Sequence, residues 1–160
     1  MRMLLPTFCA AFLVPLTAQQ TDYTGPTPPK ADVPYLLHAS TLIETEALEA
    51  HDEEKKNSRV YWVSGASSAV RTPLPEPIFI IKIAKLNPDK LELYRFEAKK
   101  DRRELTLKDR PGRNDPKALH VNVTKVGKDL YRVEAAETLE NGEYSLSPSG
   151  SNVVFAFQVY

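Results

Sequence analysis

Apolar and polar residues alternate in short runs along most of this chain, and each run ends in Pro, Gly, Asn, Asp or Ser. Alternation of period two between such turn residues predicts β-strands rather than helices. The clearest run places Val153, Phe155, Phe157 and Val159 on one face. Before it stand Leu139, Gly142 and Tyr144, at the spacing of a tyrosine corner. In a Greek-key sandwich such a tyrosine buries its ring and returns its hydroxyl to the backbone just upstream.

Further strands are predicted upstream. Residues 60–63 carry the single tryptophan, Trp62, and residues 78–83 are nearly all apolar, as in a central strand buried on both faces. Leu91 and Leu93 oppose Tyr94 and Phe96 across one strand; residues 99–102 then make a hairpin tip, and 103–107 return. Leu119, Val121 and Val123 mark another strand, whose partner carries Tyr131, Val133 and Ala135. Pro73, Pro75 and Pro77 lack the ladder donor, so residues 72–77 read as an edge crossover from one sheet to the other. Residues 51–58 read as a charged turn and 109–117 as a long polar loop. Residues 35–48 fit either an amphipathic helix or a hairpin turning at residues 38–41. Helix propensity is a weak prior against tertiary context, and the strand-rich surroundings favour the hairpin. Together the pattern predicts an all-β fold: a single antiparallel, Ig-like or Greek-key β-sandwich of eight or nine strands over residues 35–160.

Two segments precede this domain. Residues 1–18 read as an export signal, with Arg2 before an apolar core from Leu4 to Leu16 and a small residue, Ala18, at the cut. The core is too short to span a bilayer, which takes about 20 apolar residues. Residues 19–34, with Pro26, Pro28, Pro29 and Pro34, read as a flexible, solvated tether. The only cysteine, Cys9, lies inside the signal behind Thr7 and Phe8, which does not fit a lipoprotein. A mature chain without cysteine has no disulfide and no thiolate metal site. Cleavage removes Arg2 and no acid from a balanced 21 basic and 21 acidic residues, leaving one net negative charge. Such a domain offers no basic footprint for nucleic acid. The expected location is the periplasm or the cell exterior, without a membrane span after cleavage.

Taken as an ordered series, Tyr35-Leu36-Leu37, Gly65-Ala66-Ser67-Ser68, Pro77-Ile78-Phe79, Leu93-Tyr94-Arg95, Arg103-Glu104-Leu105, Gly142-Glu143-Tyr144 and Phe155-Ala156-Phe157-Gln158-Val159 resemble an uncharacterised β-sandwich module of exported bacterial proteins. The resemblance spans most of residues 35–160. It implies fold and compartment; the family has no assigned activity, so it carries over no site residues.

Candidate chemistry is sparse. Gly65-Ala66-Ser67-Ser68-Ala69 approaches a nucleophile elbow, but its fifth residue is alanine and no helix can follow across Pro73 and Pro75. His38, His51 and His120 have no ligand spacing. Glu44, Glu46, Glu49, Asp52, Glu53 and Glu54 form the densest acidic group, without the residue order of a calcium loop. It reads as a solvated hairpin tip that discourages edge pairing. Lys99, Lys100, Arg102, Arg103, Lys108, Arg110 and Arg113 form a basic counterpart, able to face the acids within the fold or in a partner. Tyr61, Trp62, Tyr94 and Tyr131 are candidates for an aromatic sugar platform. Only one of Tyr61 and Trp62 can face the core, and Val60 on the same face favours Trp62. No catalytic, cofactor or metal residue can be named. The expectation is a non-enzymatic structural or protein-binding module with an envelope protein as partner; the alternative is a carbohydrate-binding module using exposed aromatics.

Overall fold

The computed structural model describes residues 23–160, and the expected signal at residues 1–18 lies outside the described residues. Alternation becomes thirteen strands there. They are β1 (Pro34–His38), β2 (Thr41–Glu44), β3 (Glu46–Glu49), β4 (His51–Lys55), β5 (Ser58–Ser64), β6 (Arg71–Thr72) and β7 (Ile78–Lys82). After a short 3₁₀ turn at Pro88–Lys90 follow β8 (Leu91–Ala98), β9 (Arg102–Lys108), β10 (Val121–Lys125), β11 (Leu130–Ala135), β12 (Gly142–Pro148) and β13 (Val153–Val159). The count exceeds eight or nine because short stretches also find partners. Residues 51–58 are not a turn: β4 pairs with β5, and only Lys56 and Asn57 reverse the chain. Residues 35–48 take the hairpin form, β1 against β2, with Ala39 at a φ of 55° in the tight link.

Five strands form one sheet in the order β10-β11-β7-β1-β2. The second runs β3-β13-β12-β8-β9-β5-β4, with β6 lying parallel to β13. Its two end strands are neighbours in sequence, since Ala50 alone separates Glu49 of β3 from His51 of β4. The sheet therefore curls into a half-barrel. In place of two evenly stacked layers, the molecule is part sandwich and part barrel, and β12 and β13, shared by both halves, are buried on both faces. On β8, Leu91 and Leu93 enter the core between the sheets, whereas Tyr94 and Phe96 enter the lumen of the half-barrel. β13 divides in the same way: Phe155, Phe157 and Val159 face the inter-sheet core and Val154 the lumen. Phe157 meets Phe79 of β7 at 4.9 Å between ring centroids.

The tyrosine corner is present. Tyr144 is buried, its hydroxyl donates to the Glu140 carbonyl at 2.8 Å, and its ring stacks on Phe157 at 5.7 Å.

The proline-rich segment is not free over its described part. Tyr23 donates from its backbone N–H to Val126, Pro28 is buried, and Lys30 pairs with Glu44 of β2 at 2.7 Å. The segment thus crosses the outer face of the five-stranded sheet, which accounts for the burial of Tyr35 and Ile80 there. β7 is buried on both faces because this strap covers the second one. Asp32, at a φ of 61°, fastens the strap by accepting from the N–H groups of Ala84, Lys85 and Leu86 at 2.8–3.0 Å. Burial raises its pKa, but these three donors and the Lys85 charge together bring it below the ordinary aspartate value. A lowered folded pKa adds stability that is complete above pH of about 4 and lost as pH falls through the folded value. Asp32→Asn should therefore flatten the acid limb of a stability–pH curve, and Asp32→Ala should destabilise by about 1 kcal/mol at neutral pH in urea melts.

Candidate functional site

The half-barrel is sealed at one end by buried charge. Alternation along β9 puts Arg103 on the same face as Leu105 and Leu107, so its guanidinium points inward. Arg103 is 0% exposed, and its Nη1 donates to Glu46 Oε2 at 2.9 Å. Its Nε donates to the Gly65 carbonyl at 3.0 Å and its Nη2 to the Ser64 carbonyl at 3.1 Å. Glu143 of β12, 4% exposed, stands 3.7 Å away and accepts from Ser67 Oγ at 2.8 Å and from the Ser68 N–H at 2.9 Å. The serines of the elbow-like stretch thus hold a structural carboxylate. Gly65, at a φ of 85°, turns the chain so that they can reach it.

The other end is open. A lumen of about 270 Å³ lies between Tyr61, Tyr94, Phe96, Leu105 and Val154, with Ser145 and Ser147 on the β12 wall and Arg59 and Glu92 toward the mouth. The Tyr94 hydroxyl donates to Glu92 Oε2 at 3.0 Å. Burial first, then that bond and the Glu92 charge, push the Tyr94 phenol up to about 12, so it stays a neutral donor. Arg59 is held loosely by Asp52 and Glu54, each at 3.7 Å.

A second concavity follows from the divergence of the two halves. β8 must stay against the five-stranded sheet, whereas β9 leaves with β5 to enclose the lumen. Their ladder accordingly holds only two pairs, Glu97 with Glu104 and Ala98 with Arg103. The next pair of seam-facing residues by alternation, Arg95 with Thr106, is not made. Instead a cleft of about 760 Å³ opens between the strands, rimmed on one side by residues 114–117. Phe96 and Leu105 line both cleft and lumen. Leu119 reaches β8 by one bond, donating to the Leu93 carbonyl at 2.7 Å.

The expected site residues scatter. His38 ends β1, His51 begins β4 and His120 precedes β10. Among the described residues, no group of three or more His, Cys, Asp or Glu side chains could hold a metal ion. Of the acidic group, Glu44 pairs with Lys30, Glu46 with Arg103, and Asp52 and Glu54 with Arg59; among the described residues only Glu46 meets the basic group, through Arg103. Trp62 is not a core residue. It faces outward and half-buried, stacked on His51 at 4.2 Å with the Arg102 guanidinium 5.6 Å from its ring centroid. Val63 and Tyr61 take the lumen face in its place. Of the four aromatics, the fold brings together Tyr61 and Tyr94; Tyr131 lies in the other sheet. The sequence places Arg103 in a basic group able to face the acids, and the structure joins it to Glu46; its burial beside Glu143 was not expected, although Arg103 shares its alternation face with two leucines. Among the described residues, no helix is long and apolar enough to cross a membrane. No protein family, curated protein or solved structure matches the chain, so its function must be argued from its own geometry.

Proposed function

We propose that this domain is an exported, non-catalytic binding module of the bacterial envelope, which takes an extended segment of a partner protein as an added strand in the β8–β9 seam. The observation that carries the reading is the arrested ladder. Two strands run on past Glu97 and Glu104 without pairing with each other, β8 meeting only Leu119 at Leu93 on that side, and a cleft lies between them. Strand addition draws affinity from main-chain hydrogen bonds and specificity from pockets for alternate side chains. An added strand would turn one set of side chains toward Phe96 and Leu105 and the other toward solvent. The edge strand β4, by contrast, is charged and wholly exposed, as edges that avoid pairing are.

The test needs no knowledge of the partner at first. In hydrogen exchange, the amides of Arg95 and Thr106 should exchange far faster than those of Tyr144 or Phe155; equal protection would mean a closed seam and overturn the reading. Thr106→Pro removes a seam-facing donor while leaving the β5 ladder to Leu105 and Leu107. In pull-downs from envelope extract, the natural domain should recover a partner that Thr106→Pro loses. Recovery of nothing above an unrelated sandwich control, or equal recovery by both, counts against strand addition.

A further inference from the structure

The lumen has a chemistry that the seam does not use. Ser145 and Ser147 are 1% and 8% exposed, and both line the cavity. Their hydroxyls meet each other at 3.2 Å. Two hydroxyls hold two donor hydrogens, and a single mutual bond consumes one of them. One buried O–H and several lone pairs therefore face the cavity without a protein partner, a state that buried hydroxyls avoid unless something else binds them. The charged groups at the mouth are already engaged: Glu92 accepts from Tyr94, and Arg59 is shared by Asp52 and Glu54. No free buried charge is offered to an ionic ligand. The volume of about 270 Å³ falls just under the common range for small-molecule pockets, about 300–1,000 Å³, which suits one ring. Phenol rings and Phe96 supply flat apolar surface on β5 and β8, with Tyr94 directly beside Ser145 as its cross-strand neighbour.

We infer that the lumen binds one uncharged polyhydroxylated ring, a single sugar unit, either free or at the end of a glycan. The C–H face of the ring lies on Tyr61 and Tyr94, and its hydroxyls bond to the Ser145–Ser147 pair and to the neutral Tyr94 phenol. A hydroxylated ligand is selected over an apolar one of the same size because only the former satisfies the serines. The inference does not rest on the seam reading, since its ligand and its contacting hydroxyls are different, although Phe96 and Leu105 line both concavities.

Heteronuclear NMR on the full chain, titrated with neutral hexoses and N-acetylhexosamines, tests it. Sugars should shift the Ser145, Ser147 and Tyr94 resonances in a saturable manner, while Trp62, on the outer face, stays unmoved. The double variant Ser145→Ala, Ser147→Ala should keep its melting temperature and lose about 10-fold or more in affinity. Tyr94→Phe should weaken binding less and serves as a second variant should the serine pair prove necessary for folding. A free monosaccharide and a short oligosaccharide of the same unit separate the two ligand sources: equal affinity points to a lone ring, tighter oligosaccharide binding to a chain end. Three results overturn the inference: no saturable shift at any sugar, equal affinity in the serine double variant, or tighter binding of cyclohexane-sized apolar probes than of sugars.

Discussion

Arg103→Ala is expected to destabilise the domain by about 3–5 kcal/mol, measured as a shift of the urea midpoint at unchanged slope. The magnitude follows from what stays behind. Glu143, 4% exposed, would keep its bonds from Ser67 and Ser68 but lose the positive charge 3.7 Å away. The carbonyls of Ser64 and Gly65 would lose their guanidinium donors as well. Removing one partner of a buried ion pair is harsher than removing both, because the survivor stays charged and dry. The double variant Arg103→Met, Glu143→Gln should therefore recover much of the loss, since glutamine still accepts from the Ser68 N–H. A single variant within about 1 kcal/mol of the natural protein would show that the sealed end contributes little.

Tyr144→Ala should be nearly as severe, at about 3–5 kcal/mol, whereas Tyr144→Phe should cost about 1 kcal/mol. The first removes a ring packed on Phe157 in the inter-sheet core and leaves a cavity; the second removes only the bond to the Glu140 carbonyl. Arg95 braces the same corner from outside, donating to the Asn141 carbonyl at 3.0 Å and pairing with Glu140 at 2.6 Å. Burial raises the Tyr144 phenol above its ordinary pKa, so the corner bond persists into alkaline solution. Thermal melts in which both substitutions are neutral would remove the corner from the account of stability.

Much of this architecture was legible in the pattern. The corner tyrosine, the central strand β7, the proline crossover and the β8–β9 hairpin follow from local spacing, and local spacing survives folding. Curvature was not legible. Nothing in residues 46–55 announces that β3 and β4, one residue apart, form opposite edges of the same curled sheet. Once they do, a stretch dense in acids becomes strand, and Trp62 is displaced to the outside because the lumen takes Tyr61 and Val63. The candidate site was harder still. The lumen draws on five strands far apart in sequence, and the seam is defined by a pairing that stops. Two tyrosines of the aromatic group were visible beforehand; the serine pair that shares the lumen with them reads, in sequence, as ordinary strand residues.

The placement of β13 governs when this fold can form. Last of the described strands in chain order, it pairs with β12, β3 and β6 and supplies side chains to both cores. Until it is made, β3 lacks its ladder, Phe79 lacks its aromatic neighbour, and the lumen wall is missing Val154. Contacts of such long sequence separation form late and slowly. Until β13 is made, neither core can close. That delay makes the unfinished chain dependent on whatever shields its unpaired strands in the meantime.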